Sequence, residues 1–293
     1  MAMGLRRLAA AAVVFLAAHS AQAATGDRLD RKSLGPLSFE ETFEAPPSFY
    51  HPTDNPSGRW KTTYRHGWQA DDVPAGVERR TLQPNKELQA YTDRWFGPDP
   101  FGWNDGVLTI TARPAPDPRR LWGQRYLSGM ISTEKSFAQR YGYWEMRGQV
   151  PKGKGLWSAF WLLKTDTQAP NWPPELDIME AHGDKPRTHF MTAHSKDARG
   201  RYRKDFHPHE GADLTAGPHT FGLLWTPEAL VWYQDDVEQH RIPTPHGFDA
   251  PMHLIVNLAV GGEWPGAPDA STPFPAVLKV DHVRVWRLAD GRN

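Results

Sequence analysis

The sequence predicts an all-β fold, a sandwich or barrel built from many short antiparallel strands. Short runs rich in β-branched and aromatic residues recur along the chain, separated by clusters of Gly, Pro, Asn and Asp. No long stripe of apolar residues with helical spacing is present. The 27 prolines suit a chain with many loops and turns.

The runs place the strands in order along the chain. The predicted strands cover 107–112, 141–147, 156–162, 175–180, 189–194, 219–225, 229–233, 253–259 and 278–286. A tight turn is expected at Asp235-Asp236, between two strands of a hairpin. The segments 46–55, 97–104 and 199–210 are predicted to be loops, the last because it is polar and basic.

The first 23 residues have the pattern of a signal peptide. Arg6-Arg7 precedes the apolar run 8–18, and Ala21-Gln22-Ala23 has small residues suited to cleavage. A membrane anchor is the alternative, but the run is too short to cross a bilayer. We therefore expect a secreted or periplasmic protein, with a tail over 24–36 and one large domain over 37–293.

The composition of the chain limits the classes of molecule that it is expected to bind. Basic and acidic residues number 34 each, so no basic field would attract nucleic acid or an anionic membrane. The chain has no cysteine and thus no disulfide, but it is long enough to bury a sizeable core without one. Most of the 13 tryptophans are expected in that core, and a few could offer flat apolar faces to sugar rings.

Three acids within six residues are the most informative feature of the chain. Glu175, Asp177 and Glu180 stand among apolar residues, where unpaired carboxylates are costly to bury. Side chains alternate in a strand, so Glu175 and Asp177 share a face and Glu180 falls on the other. A β-bulge at Ile178 or Met179 would turn Glu180 to the same face. Carboxylates aligned in this way suit the cleavage of glycosidic bonds.

The acid run resembles the E-x-D-x-x-E motif of glycoside hydrolase family 16. Four further segments are similar to the laminarinase-like branch of that family, in the same order, and cover nearly the whole chain after the signal peptide. They are Asn85-Lys-Glu-Leu-Gln-Ala-Tyr-Thr, the run from Tyr141-Gly to Phe160-Trp161, Asn257-Leu-Ala-Val-Gly-Gly-Glu-Trp-Pro-Gly and Val280-Asp-His-Val-Arg-Val.

The resemblance implies a fold and a reaction. The fold is a concanavalin-like jelly-roll β-sandwich of two antiparallel sheets with a concave substrate groove, and 37–293 would be its catalytic domain. The reaction is retaining endo-hydrolysis of β-glucans or galactans. Glu175 would be the nucleophile and Glu180 the acid/base. Asp177 lies between them, and its charge would keep Glu180 protonated.

Six residues are candidates for binding the substrate, and four of them have an alternative role. Trp157 and Trp161 share a face of their strand and would form the groove floor or pack in a core. Trp172 and Trp264 lie in loops rich in Pro and Gly, and are expected to form groove walls. Asn85 could bind a sugar hydroxyl or stabilise a turn, and His194 could face the groove or be a satisfied core histidine.

The resemblance implies no cofactor for catalysis but allows a structural Ca²⁺. Its ligands would include Glu41 and Asp281, although Thr42 stands where the family's second early acid is expected, and Ca²⁺ needs more oxygens than these two supply. The pairs His189/His194 and His207/His209 lack the spacing of a catalytic zinc site.

Four functions remain open from the sequence. A secreted endo-β-glucanase acting on β-1,3 or mixed β-1,3-1,4 glucan is preferred, acting as a monomer on a polysaccharide. A processing glycanase for an exopolysaccharide similar to succinoglycan would use the same chemistry. A sugar-binding module without catalysis is disfavoured because all three acids are present. A transglycosylase would use a sugar instead of water as acceptor.

Overall fold

The structure is a computed structural model that describes residues 26–64, 76–165 and 172–292. The predicted signal peptide, 1–23, lies outside the described residues. Four short 3₁₀ helices occur in this part of the chain, at Arg31–Ser33, Val77–Arg79, Gln83–Asn85 and Pro118–Leu121. No helix in the described ranges has the length and hydropathy of a membrane span.

Strands dominate the described ranges and appear in the following order. They are β1 (Leu34–Glu41), β2 (Gln89–Tyr91), β3 (Phe101–Asn104), β4 (Val107–Pro114), β5 (Tyr126–Ser128), β6 (Met130–Ser132), β7 (Gly142–Gln149), β8 (Leu156–Lys164), β9 (Glu175–His182), β10 (Thr188–Lys196), β11 (Tyr202–Glu210), β12 (His219–Trp225), β13 (Ala229–Gln234), β14 (Val237–Pro243), β15 (Met252–Val260) and β16 (Ala276–Leu288).

The strands form two sheets. The large sheet has the order β14-β13-β12-β7-β16-β4-β5-β2, with β1 on β16 and β3 on β4. The small sheet has the order β11-β10-β9-β8-β15-β6. The all-β prediction is confirmed, with one difference from two purely antiparallel sheets: β2 and β5 pair in parallel at the end of the large sheet.

The core lies between the two sheets, because alternate side chains from both point inward. The small sheet contributes Phe160, Met179 and Val256, for example, and the large sheet contributes Trp144 and Trp232, all buried. This packing uses one face of the small sheet, so the other face is left for a functional site.

Two loop predictions are wrong. Residues 101–104 form β3, which pairs with β4, and residues 202–210 form β11, which pairs with β10 at the edge of the small sheet. The side chains of β11 are exposed or half-buried. Edge strands are commonly charged, because charge prevents pairing with other chains. This explains why β11 has the composition of a loop.

Two further details concern a turn and the N-terminal segment. The predicted turn is confirmed: Asp235 and Asp236 have φ values of 51° and 65° between β13 and β14. Within the predicted tail over 24–36, of which residues 26–36 are described, Arg28 bridges to Val237 and the N–H of Leu29 donates to the carbonyl of Asp236 at 2.8 Å. The predicted boundary at residue 37 also falls inside β1, which pairs with β16.

Candidate active site

A β-bulge in β9 determines which way its acids point. Against β8, Phe160 pairs with Met179 but the next residue, Trp161, pairs with Asp177, so Ile178 is an extra residue. The register against β10 shifts at the same place. Ile178 and Met179 are therefore both buried in the core although they are adjacent. The bulge predicted from the sequence is present at the predicted position.

The bulge places the three acids on the face of the small sheet that points away from the core. We call this surface the acid face, defined by Glu175, Asp177 and Glu180. Asp177 and Glu180 are 4% and 9% exposed, and the Glu175 side chain is 17% exposed. Carboxyl groups so poorly hydrated must be partnered by other polar groups.

A ring nitrogen lies beside each acid. The three pairs are Trp172 Nε1 to Glu175 Oε2 at 2.8 Å, His194 Nε2 to Asp177 Oδ2 at 3.1 Å, and Trp157 Nε1 to Glu180 Oε1 at 3.1 Å. These rings fix the positions of the acids and leave their remaining oxygen atoms for other contacts.

The bulge is tied to the large sheet by a hydrogen bond across the core. A bulge interrupts the ladder of backbone hydrogen bonds. Nε1 of Trp232, on β13, donates to the backbone carbonyl of Asp177 at 3.0 Å, and the contact is buried. The conformation of β9 at the acids thus depends on a tryptophan from the opposite sheet.

Burial and mutual repulsion raise the pKa values of both glutamates. Burial, followed by the charge of Asp177, raises the pKa of Glu175 from 4.5 to about 7. Burial raises the pKa of Glu180 well above its usual range, and the charges of Asp177 and Glu175 add to this effect. Glu175 also receives the Trp172 N–H and lies near the His194 imidazole, which both favour its ionised form. The site therefore favours a protonated Glu180.

His194 connects the acids to the edge strand. Its Nε2 is 3.1 Å from Asp177 and 3.7 Å from Glu175, and its Nδ1 is 2.6 Å from the hydroxyl of Tyr202 on β11. Burial alone would lower the pKa of His194, but the hydrogen bond to Asp177 and the charges of Asp177 and Glu175 outweigh it and raise the pKa. His194 is therefore part of the acid face.

Two of the predicted wall residues lie beside the acids and are partly accessible. The Trp172 ring stacks on Tyr202 with centroids 5.4 Å apart. Trp264 is 40% exposed, and its ring contacts His182 at 4.2 Å and Trp157 at 5.4 Å. These rings lie near Glu175 and Glu180 respectively, since Trp172 and Trp157 bind those acids.

The other two candidates have structural partners. Trp161 is only 8% exposed, and its Nε1 donates to Asn257 Oδ1 at 2.8 Å. Its ring belongs to a small apolar cluster with Tyr64 and Tyr91. Asn85 donates from Nδ2 to Glu87 Oε1 at 3.1 Å, so its amide stabilises the local turn.

Sequence reasoning missed a buried acid inside the Asn85 motif and a site residue on β11. Glu87 is buried and accepts hydrogen bonds from Asn85, Gln89 and the Leu82 N–H; burial raises its pKa. It stands inside the Asn85 motif, so the motif carried the signal. On β11, Tyr202 contacts His194, and the prediction of a loop over 199–210 concealed this contact.

The expected calcium ligands do not fit a metal. Glu41 accepts hydrogen bonds from the Arg59 guanidinium at 3.3 Å and from Trp60 Nε1 at 3.1 Å. Asp281 is paired with Arg147. Arginines thus neutralise both carboxylates, which are not arranged to coordinate a cation.

Among the described residues, one group has the spacing of metal ligands: Glu175, Asp177 and His194 offer one ligand atom each, all within 4.8 Å of one another. Its contacts are explained by the hydrogen bond and ion pairs of His194 with the two carboxylates.

Comparisons with known proteins agree on one family. The model of glycosyl hydrolases family 16 matches residues 97–283. Endo-1,3-1,4-beta-glycanase EglC of Rhizobium meliloti is 42% identical over 242 residues, which are 80% of this chain and 49% of EglC. Endo-1,3-1,4-beta-glycanase ExsH of the same organism is 38% identical over 264 residues, covering 88% of this chain and 54% of ExsH. The chain thus spans about half the length of these relatives.

A solved structure extends the likeness to the fold. The laminarinase catalytic domain of Thermotoga maritima aligns with a TM-score of 0.69 and 29% identity, over 86% of this chain and 98% of that domain. The sandwich described above is accordingly the predicted jelly roll.

Proposed function

Because the chain belongs to family 16 of the glycosyl hydrolases, we propose that it is a retaining endo-β-glycanase acting on β-1,3 or mixed β-1,3-1,4 glucan. The observation that carries the proposal is the alignment of three carboxyl groups on one face by the β9 bulge. The activities of the relatives by name, two endo-1,3-1,4-beta-glycanases and a laminarinase, support the substrate class.

The proposed reaction has two steps. Glu175 attacks the anomeric carbon while the bond to the leaving oxygen breaks and Glu180 gives that oxygen its proton. Glu180 then takes a proton from water, whose oxygen replaces Glu175 on the anomeric carbon. The raised pKa of Glu180 supports its role as the acid, and the Trp172 N–H favours the anionic nucleophile.

A substrate panel tests this function. Laminarin, mixed-linkage glucan, agarose, carrageenan and succinoglycan would each be incubated with the protein, and product sizes measured. We expect internal cleavage of laminarin or mixed-linkage glucan, and loss of turnover in Glu175→Gln. If none of the five polymers is shortened, the hydrolase assignment fails. If the unchanged protein and Glu175→Gln both bind glucan and neither cleaves it, the chain is a sugar-binding module.

The stereochemistry is a separate test. NMR of the first product should show the β-anomer, because two displacements retain configuration. An initial α-anomer would exclude Glu175 as the nucleophile. Transfer to added sugar acceptors would show transglycosylation in place of hydrolysis.

We further propose export to the periplasm or beyond, a monomeric state, and catalysis without a cofactor. Export is supported by the signal-peptide pattern of residues 1–23 and is tested by determining the N-terminus of protein recovered from cells. Sedimentation would test the monomer.

Calcium is tested by melting the protein with EDTA and with added Ca²⁺. Since arginines pair with both Glu41 and Asp281, we expect the same melting temperature in each case. A higher melting temperature with Ca²⁺ would instead support a structural calcium site.

A further inference from the structure

The edge strand β11 presents three consecutive same-face residues to the acid face. Tyr202 binds His194 through its hydroxyl, and Phe206 stacks on Phe190 with centroids 5.4 Å apart. Because side chains alternate, Lys204 lies on the same face between them. We call Tyr202, Lys204 and Phe206 the β11 strip.

The two aromatic members of the strip are unusually open for large apolar side chains. Tyr202 is 46% exposed and Phe206 is 41% exposed, so both rings are available to a ligand. The strip joins the rings already described: Tyr202 stacks on Trp172, and Phe206 lies 6.1 Å from Trp264. An aromatic surface therefore continues from the acids onto the edge strand.

Lys204 is the cation of this surface. Its Nζ lies 4.4 Å from the centroid of the Phe206 ring, and none of the ion pairs between described residues includes it. It pairs across the strands with His194, and its charge acts on Glu175, Glu180 and His194 alike. The ammonium is thus near the acids without being neutralised by them.

A lysine on an edge strand can simply protect the edge from pairing. The other cations near β11 have partners that fit such a role: Arg201 and Arg203 both bind Asp197. Lys204 differs because it stands between two exposed rings and lacks a carboxylate partner among the described residues. A charge placed there is suited to a ligand group of opposite sign.

We propose that the β11 strip is a further sugar-binding site, in which the rings pack on a glycan and Lys204 binds an anionic group on it. The chemistry is that of a carboxylate or sulfate substituent on an otherwise neutral β-glucan, since a lysine ammonium binds either as a point charge. This inference rests on the proposed function, because it adds a substituent to the same polysaccharide.

Binding in an inactive background tests it. Glu175→Gln would be combined with Lys204→Met, and affinity measured for laminarin, carboxymethylated laminarin and sulfated laminarin at low salt. We expect Lys204→Met to weaken binding of an anionic polymer about fivefold, and that of neutral laminarin less than about twofold. The preference should disappear at high salt, because the site is exposed. The two anionic arms separate carboxylate from sulfate.

Two variants control for charge and folding. Arg203→Met makes the same charge change on the opposite face of β11 and should leave the preference intact. Lys204→Arg keeps the charge and should also retain it. The inference fails if Lys204→Met loses as much affinity for neutral laminarin as for the anionic polymers, or if Arg203→Met loses as much affinity as Lys204→Met. It also fails if no polymer binds. The proposed hydrolysis is decided separately, by cleavage of neutral laminarin by the unchanged protein.

Discussion

At the scale of single residues, the acid face combines features that favour chemistry and oppose stability. Three carboxyl groups are brought together in a poorly hydrated place, and each is compensated by one ring nitrogen. Ionising Glu175 or Glu180 costs free energy that the folded state must supply, because burial raises the pKa of both. Active sites commonly carry such a cost, and removing it should stabilise the fold.

Glu175→Gln should therefore stabilise the protein, and most at high pH. The pKa of Glu175 is about 7 in the folded state against 4.5 in the unfolded state. Between these values the folded state holds a proton that the unfolded state has lost, so stability falls as pH rises to about 7. Denaturant unfolding at pH 5 and pH 8 should show a larger gain for the variant at pH 8, up to about 3 kcal/mol. An equal gain at both pH values would contradict the raised pKa.

Asp177→Asn should change the pH dependence of catalysis. The charge of Asp177 is the second cause, after burial, of the raised pKa of Glu180. Without that charge Glu180 loses its proton at lower pH, so the high-pH limb of kcat/KM should move to lower pH. Asp197→Asn, which changes a carboxylate bound to arginines on the surface, is the matched control. An unmoved limb would mean that Asp177 does not influence the acid.

At the scale of elements, the bulge and the edge strand show what a sequence can reveal. The bulge was predictable because a regular strand alternates its side chains between two faces. Such a strand cannot bury both Ile178 and Met179 and also turn Glu180 to the opposite face. The strand β11 was not predictable from composition, because its charges serve an edge and resemble a loop. Its pairing with β10 is a contact across the fold that local pattern does not encode.

The bulge also depends on a partner that no local pattern identifies. Trp232→Phe removes the hydrogen bond to the Asp177 carbonyl and leaves that buried oxygen without this donor. We expect a loss of about 1–3 kcal/mol in unfolding free energy. A fall in kcat with little change in KM should accompany it, because the acids would lose their alignment.

Trp225→Phe is the matched control. Trp225 is equally buried on the neighbouring strand, but its Nε1 has no hydrogen-bond partner among the described residues. It should lose only packing. If Trp232→Phe and Trp225→Phe reduce kcat equally, the cross-core hydrogen bond has no special role in the alignment of the acids.

At the scale of the whole molecule, the β-sandwich was predictable from the sequence, but several contacts between distant segments were not. Eight of the predicted strand runs need only local alternation, the acid strand adds one bulge, and all nine appear as strands. The parallel pairing of β2 with β5 and the attachment of residues 27–29 to the β13–β14 turn depend on distant contacts. The environment of His189, beside His207 and His209 of β11, likewise depends on contacts between distant segments.

Those histidines should set the acid stability of the molecule. Burial lowers the pKa of His189 to about 3, assisted by the charges of His209 and His207 and opposed by that of Asp235. The unfolded state binds this proton near pH 6.5 and the folded state does not, so stability is lost as pH falls from about 6.5 towards 3. Each such group contributes a slope of at most about 1.4 kcal/mol per pH unit.

His189→Gln removes one titrating group. The unfolding free energy should then fall less steeply with decreasing pH, by up to about 1.4 kcal/mol per pH unit. Glu175 acts in the opposite direction between about pH 4.5 and 7, so the informative quantity is the difference between variant and unchanged protein at each pH. Unfolding free energies at pH 7, 6, 5 and 4 would measure it, with the exposed His246→Gln as control. If the difference stays constant across this range, His189 is not the group that carries the acid sensitivity, and the assembled core does not hold it uncharged.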